Sequence, residues 1–176
     1  SIAALFSREM PYFVCDTGEA IASRYPILEH RYVRFPDSGN DYLWADLKVG
    51  EDTVRVISVH FQTSGVSSLR HRFRKDYNRD APVERLLGEV ERNSRIRAQQ
   101  VREIRSLVDS SRGPLILAGD FNDTPSSYTY RQIRGRLTDG FRAAGSGYGG
   151  TFRYIGGLLR IDYIFYDDAF RCVRYR

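Results

Sequence analysis

The chain has 176 residues, of which 41% are apolar and 28% charged, with 27 Lys and Arg against 22 Asp and Glu for a formal charge of +5. This length and composition suit one domain with a substantial core and exclude a disordered or fibrous chain. No apolar run approaches the roughly 20 residues of a bilayer-spanning helix, and the modest positive excess reads first as a solvated basic face.

In chain order, Tyr12-Phe13-Val14, Ala20-Ile21-Ala22 and residues 42–49 read as strands, with turns at Asp16-Thr17-Gly18 and at residues 36–40. Gly50-Glu51-Asp52 turns the chain into residues 53–60, a hairpin partner whose two faces both carry apolar side chains, as in a central strand covered on both sides. Residues 63–79 are polar and basic, with Arg70, His71, Arg72, Arg74, Lys75 and Arg79, and read as a loop or exposed helix. Helical spacing follows over residues 82–110, through Leu86, Leu87 and Val90 and then Val101, Ile104, Leu107 and Val108, with a bend expected at Asn93-Ser94-Arg95.

Arg112-Gly113-Pro114 ends that helix and leads into the apolar run Leu115-Ile116-Leu117-Ala118. Asp123-Thr124-Pro125-Ser126-Ser127 then reads as a helix start, with a capping residue before a proline and the helix over residues 128–136. A glycine-rich loop at residues 145–150 precedes strands expected at 151–154, 160–165 and 170–175. Strands outnumber helices, and a layered α/β arrangement follows. Cys15 and Cys172 have no metal-site spacing and leave both a disulfide and the redox compartment open.

Three places carry polar residues where a buried strand ends or runs. His60 closes one strand, Gly119-Asp120-Phe121-Asn122 closes another, and Asp162 lies within an aromatic, β-branched run. Taken singly, each has an ordinary explanation: a structural histidine, turn-forming Asp and Asn, and a carboxylate paired with a base such as Arg160.

Taken together and in order, Gly18-Glu19-Ala20-Ile21-Ala22-Ser23-Arg24-Tyr25-Pro26-Ile27, Val59-His60-Phe61-Gln62, Gly119-Asp120-Phe121-Asn122-Asp123-Thr124-Pro125-Ser126-Ser127, the stretch 147–152 and Arg160-Ile161-Asp162-Tyr163-Ile164 resemble the endonuclease/exonuclease/phosphatase family. The resemblance implies a DNase I-like four-layered α/β sandwich, two mixed sheets face to face with helices outside, over a single domain of residues 1–176. It also implies phosphoester hydrolysis with magnesium, or manganese in its place. Oxygen ligands suit magnesium, which keeps several waters and needs few carboxylates, and the charge developing at phosphorus needs a cation and donors.

By the same resemblance Asp120 would orient or deprotonate the attacking water, with Asn122 on a phosphate oxygen and both available to the metal. His60 would protonate or hydrogen-bond the phosphate, and Asp162 would orient a second histidine. Arg24, Thr151 and Arg160 would line the substrate. The partner implied by the resemblance is a phosphoester, whether nucleic acid, lipid head group or small ester, and nothing in the sequence points to a protein partner. The same fold with catalysis lost, binding phosphate-bearing partners through its Arg-rich stretch, is the alternative.

The pattern also has departures. The family's metal-binding Glu upstream and its closing Ser-Asp-His motif have no counterpart, and no histidine follows His71. The chain opens on Ser1-Ile2-Ala3 and stops on a strand-like run, so the expectation is a core cut from a longer protein of the bacterial branch. Such a core would bind magnesium weakly and be inactive alone, hydrolysing little or nothing, and any membrane anchor would lie outside it.

Overall fold

The computed structural model describes residues 9–16, 18–63, 83–152 and 158–175. The basic stretch from Arg70 to Arg79 therefore lies outside the described residues, as does the second half of the strand expected at 151–154. Of that strand, Phe152 is seen in an isolated bridge to Leu159.

Among the described residues, eight strands and three helices follow one another: β1 (Tyr12–Cys15), β2 (Ala20–Ser23), β3 (Ile27–Arg34), β4 (Asp41–Val49), β5 (Asp52–His60), α1 (Val83–Ser110), β6 (Leu115–Asp120), α2 (Tyr128–Arg134), β7 (Thr138–Asp139), α3 (Gly140–Ala144) and β8 (Asp162–Tyr166). Six strands form one mixed sheet in the order β3-β4-β5-β6-β8-β7, and β1 pairs β2 in a second, antiparallel sheet. β5 and β6 are the parallel pair, with α1 as the crossover between them.

Strand alternation sorts the side chains of the large sheet onto two faces. On the helix side, Ile57, Val59, Leu115, Leu117, Tyr163 and Phe165 pack with Val101, Ile104 and Val108 of α1 and with Tyr130 and Ile133 of α2. On the other side, Leu43, Ala45 and Leu47 of β4 pack under Ile21 of β2, with Val14, Ile27 and Val56 at the margin. The expected α/β layering is thus present: helices, a mixed six-stranded sheet, and a second sheet on the opposite face. The expected central strand is also found, since β5 lies between β4 and β6.

Several elements differ from the sequence reading. β3 is an edge strand carrying Glu29, His30 and Arg31 at exposed positions, so it lacks the apolar alternation that would have revealed it. α1 runs unbroken through Asn93-Ser94-Arg95 for 28 residues. Asn93 is buried and accepts a hydrogen bond from Gln62 Nε2 at 3.4 Å, which leaves no reason for a bend. The cap of α2 is Ser127, whose side chain accepts from Tyr130 N, and not Asp123; Pro125 lies in the turn before it. Residues 170–175 form no strand, because β7 already occupies the free side of β8. Instead they cross α3, where Tyr175 N donates to Ala144 O and the Tyr175 ring meets Phe141 edge-on. Cys15 and Cys172 are both free thiols.

Candidate active site

Register assembles the site. His60 ends β5 opposite Asp120, which ends the parallel β6, and Asp120 in turn sits opposite Asp162, which begins the antiparallel β8. Three residues spread over a hundred positions of sequence therefore share one rung at one end of the sheet. By alternation, all three lie on the face away from α1, since their odd-numbered neighbours Val59, Tyr163 and Phe165 fill the helix-side core. His60 Nε2 stands 3.8 Å from Asp120 Oδ2, and the two side chains are 46% and 32% exposed, open enough for a substrate to reach both.

The exit of β6 is built for close approach. Gly119 has φ +150°, and a Cβ there would lie 1.8 Å from Val59 O, so only glycine lets β5 and β6 come together where His60 and Asp120 face each other. Asn122 adopts φ +50°, a left-handed conformation that Asn tolerates better than most residues. That turn points its N–H at Asp120 Oδ1, 2.7 Å away, and its side-chain Nδ2 at Phe61 O, 2.9 Å away. One carboxylate oxygen of Asp120 is thus fixed by the backbone, while the other faces His60. An amide nitrogen carries two hydrogens, so Asn122 retains one beyond its bond to Phe61.

Two further acids flank this row and were not singled out from sequence. Asp41 begins β4 one rung beyond the Tyr42–Val59 pair, on the same face as His60, and is buried with Tyr32 Oη donating to its Oδ2. Glu19, just before β2, accepts a short hydrogen bond from Ser58 Oγ, two residues before His60 on the same face. Burial pushes the Glu19 carboxyl above the usual range against the Ser58 bond; Asp41 and Asp120 add to the rise and His60 opposes it. Only the packing of the small sheet on the large one brings Glu19 here. The sole sequence signal was a carboxylate within the Gly18–Ile27 motif.

The expected lining residues have other positions. Arg160 is buried and bidentate to Asp139, with Nη1 at 2.9 Å from Oδ1 and Nη2 at 2.7 Å from Oδ2, and its guanidinium stacks on Phe141 and Tyr163. It therefore pairs with Asp139 and not with Asp162. Thr151 Oγ1 accepts from the N–H groups of Ile161 and Asp162, at 3.1 and 3.2 Å, and so fixes the start of β8. Arg24 follows β2 at the opposite end of the sheet: nearby Pro26 O binds Lys48 N, and Ile27 pairs with Leu47, which pairs with Val54. The fold does not bring Arg24 to His60.

Among the described residues, no three His, Cys, Asp or Glu side chains form a group that could hold a metal ion. The donors present are still of the right kind. Asp120 is raised above the ordinary carboxylate range, first by burial and then by the facing Asp162, with the Asn122 N–H and His60 opposing. Two facing carboxylates beside an amide side chain match the hard-oxygen preference of magnesium, which completes its shell with water.

The sequence model described as the endonuclease/exonuclease/phosphatase family matches residues 8–176. A search of curated proteins by sequence found no match. Among solved structures, sphingomyelinase C from Streptomyces griseocarneus is 18% identical with a TM-score of 0.61, over 99% of this chain and 67% of that one. Beta toxin from Staphylococcus aureus, a F277A, P278A mutant with bound magnesium ions, is 18% identical with a TM-score of 0.58, over 97% and 65%. D. rerio TDP2 complexed with a single-strand DNA product is 14% identical with a TM-score of 0.61, over 94% and 65%. At these identities the likeness is one of fold.

Proposed function

The chain belongs to the endonuclease/exonuclease/phosphatase family, and on that premise we propose that it is a hydrolase of phosphoesters that acts through activated water at the His60–Asp120–Asp162 rung. The observation that carries this reading is the register itself. A His and two Asp on three different strands meet at one end of the sheet, and a glycine is required for the approach.

In this reading Asp120 is the base. Its Oδ1 is anchored by Asn122 N–H, and its Oδ2 is turned toward the open side where water and phosphate would meet. Burial and Asp162 make the carboxylate more basic than an ordinary one, as a general base requires. His60 Nε2, on the same rung and half exposed, gives a proton or hydrogen bond to a phosphate oxygen. Asn122 offers its second amide hydrogen to that phosphate. Asp162, held at its N–H by Thr151, sets the charge around Asp120, and Glu19 places a further carboxylate near His60. Magnesium, or manganese in its place, would be held through Asp120 and the amide oxygen of Asn122 and would act as a Lewis acid at the phosphate.

The structural relatives named for sphingomyelinase and for a DNA product support a phosphodiester as the substrate class. The assay is release of nitrophenol from bis(p-nitrophenyl) phosphate by the protein with magnesium, beside short DNA and sphingomyelin. Hydrolysis of any of these that is lost in Asp120→Asn is the expected result. Tight binding of phosphate-bearing ligands with no turnover would overturn the hydrolase reading in favour of a binding module.

A further inference from the structure

Strand β5 ends at His60, yet the backbone of the next two residues is bonded as fully as a central strand. Phe61 N–H donates to Asp120 O at 2.9 Å, and Phe61 O accepts from Asn122 Nδ2 at 2.9 Å. Gln62 N–H donates to Gln100 Oε1 at 2.7 Å, and Gln62 O accepts from Arg97 Nη1 at 2.8 Å. Three of these four bonds use side chains, two of them from the middle of α1.

The buried stripe of α1 changes character to make this possible. Val101, Ile104 and Val108 pack into the core, but one and two turns earlier the same stripe carries Gln100, Arg97 and Asn93, all buried. Burying a guanidinium is costly unless it is paired and hydrogen-bonded, and an apolar side chain would serve packing as well or better. Among the described residues, no buried side-chain nitrogen or oxygen lacks a hydrogen-bond partner. Beyond Gln62 O, Arg97 Nε lies 3.3 Å from Asp123 Oδ2. Gln100 Nε2 donates to Ser38 Oγ at 3.1 Å, and Ser38 Oγ donates to Gln62 Oε1 at 2.9 Å. One guanidinium thus spans the segment that follows His60 and the segment that follows Asn122.

We propose that Arg97, supported by Gln100, is a positioning residue of the candidate active site, clamping the exits of β5 and β6 so that His60 and Asn122 keep their places relative to Asp120. The catalytic consequence rests on the hydrolase reading; the mechanical clamp does not.

The test uses Arg97→Lys, which keeps the charge and loses the fork, and the milder Ser38→Ala, which thins the same network should the first variant fold poorly. Amide hydrogen exchange is read first. Phe61, Gln62 and Asn122 are expected to exchange about tenfold faster or more in the variants while residues 56–58 keep their rates. Unchanged exchange at the three amides, or uniform acceleration throughout the sheet, overturns the clamp. Turnover is read next, alone and with His60→Ala. Arg97→Lys is expected to lower kcat about ten- to a hundred-fold with KM nearly constant, yet to cost less than about twofold more once His60 is gone. An equal loss in both backgrounds would mark a general structural effect and overturn the positioning role. If the wild type turns over none of the phosphoesters, the hydrolase reading fails, while the exchange result still decides the clamp.

Discussion

Two pairs of a carboxylate with a basic side chain, both near β8, are built in opposite ways. Arg160 and Asp139 meet in a bidentate fork at 2.7 and 2.9 Å, buried to 7% and 1% side-chain exposure beneath two aromatic rings. His60 and Asp120 stand 3.8 Å apart with 46% and 32% exposure. Asp139 is also the acceptor for Tyr130 Oη and caps α3, and although burial opposes it, the bonds to Arg160 and Tyr130 hold its carboxyl below the usual range. Asp120 is held above that range. A pair whose partners saturate each other stabilises a fold; a pair left long, open and electrostatically unsatisfied has capacity to spend on a ligand. The family resemblance alone placed Arg160 at the substrate and could not separate the two.

The sharpest way to break this contrast is Asp120→Asn. If Asp120 is the base, kcat falls about 10²–10⁴-fold with little change in KM, and the midpoint of thermal unfolding does not fall. Near-normal turnover would reduce Asp120 to a turn residue. The converse substitution, Asp139→Asn, leaves a buried guanidinium without its counter-charge and should cost about 3–5 kcal/mol of stability in denaturant titration. Turnover per folded molecule should stay within about threefold. If the activity loss exceeds the stability loss, Arg160 belongs to the site after all.

A third substitution separates geometry from charge. Gly119→Ala places a methyl group against Val59 O and forces β5 from β6 without touching any charged group. We expect about 1–3 kcal/mol of destabilisation and a drop in turnover, with exchange protection retained at β8 beside Asp139. Preserved turnover would mean that the spacing of His60 and Asp120 does not matter to the chemistry.

The smallest expected effect is the pH dependence of stability in a chelator, where the two pairs carry opposite signs. Asp139 is depressed in the fold, so its contribution is present above the unfolded value of about 3.9 and is lost as pH falls through the lower, folded value. Asp120 is raised, so its contribution is present below about pH 3.9 and is lost as pH rises through the folded value. Denaturation from pH 3 to 6 should therefore show Asp120→Asn gaining on the wild type as pH rises. The Asp139→Asn deficit should shrink as pH falls. Curves that run parallel would dissolve the distinction.

The sequence by itself determined most of the elements and the chemistry available to the site. β4, β5, α1 and β6 were legible because their apolar residues recur with the period of a strand or helix that must hide one or both faces. The Asp and Asn that close β6 stood out because such residues are costly to bury without partners, and it was the family resemblance that read them as a site and not a turn. Edge strand β3 was missed because an edge need not hide its side chains, and the assigned strand at 170–175 was wrong because pairing depends on which edge is free. Only the tertiary structure decided that Asp41 and Glu19 join the row, that Arg160 is spent on Asp139 and that Arg24 lies at the far end. It alone showed that the polar stripe Asn93, Arg97 and Gln100 faces the exit of β5. The physical reason is that periodicity records whether a side chain is buried. Which partner meets it there is set by strand register and sheet packing, between residues far apart in the chain.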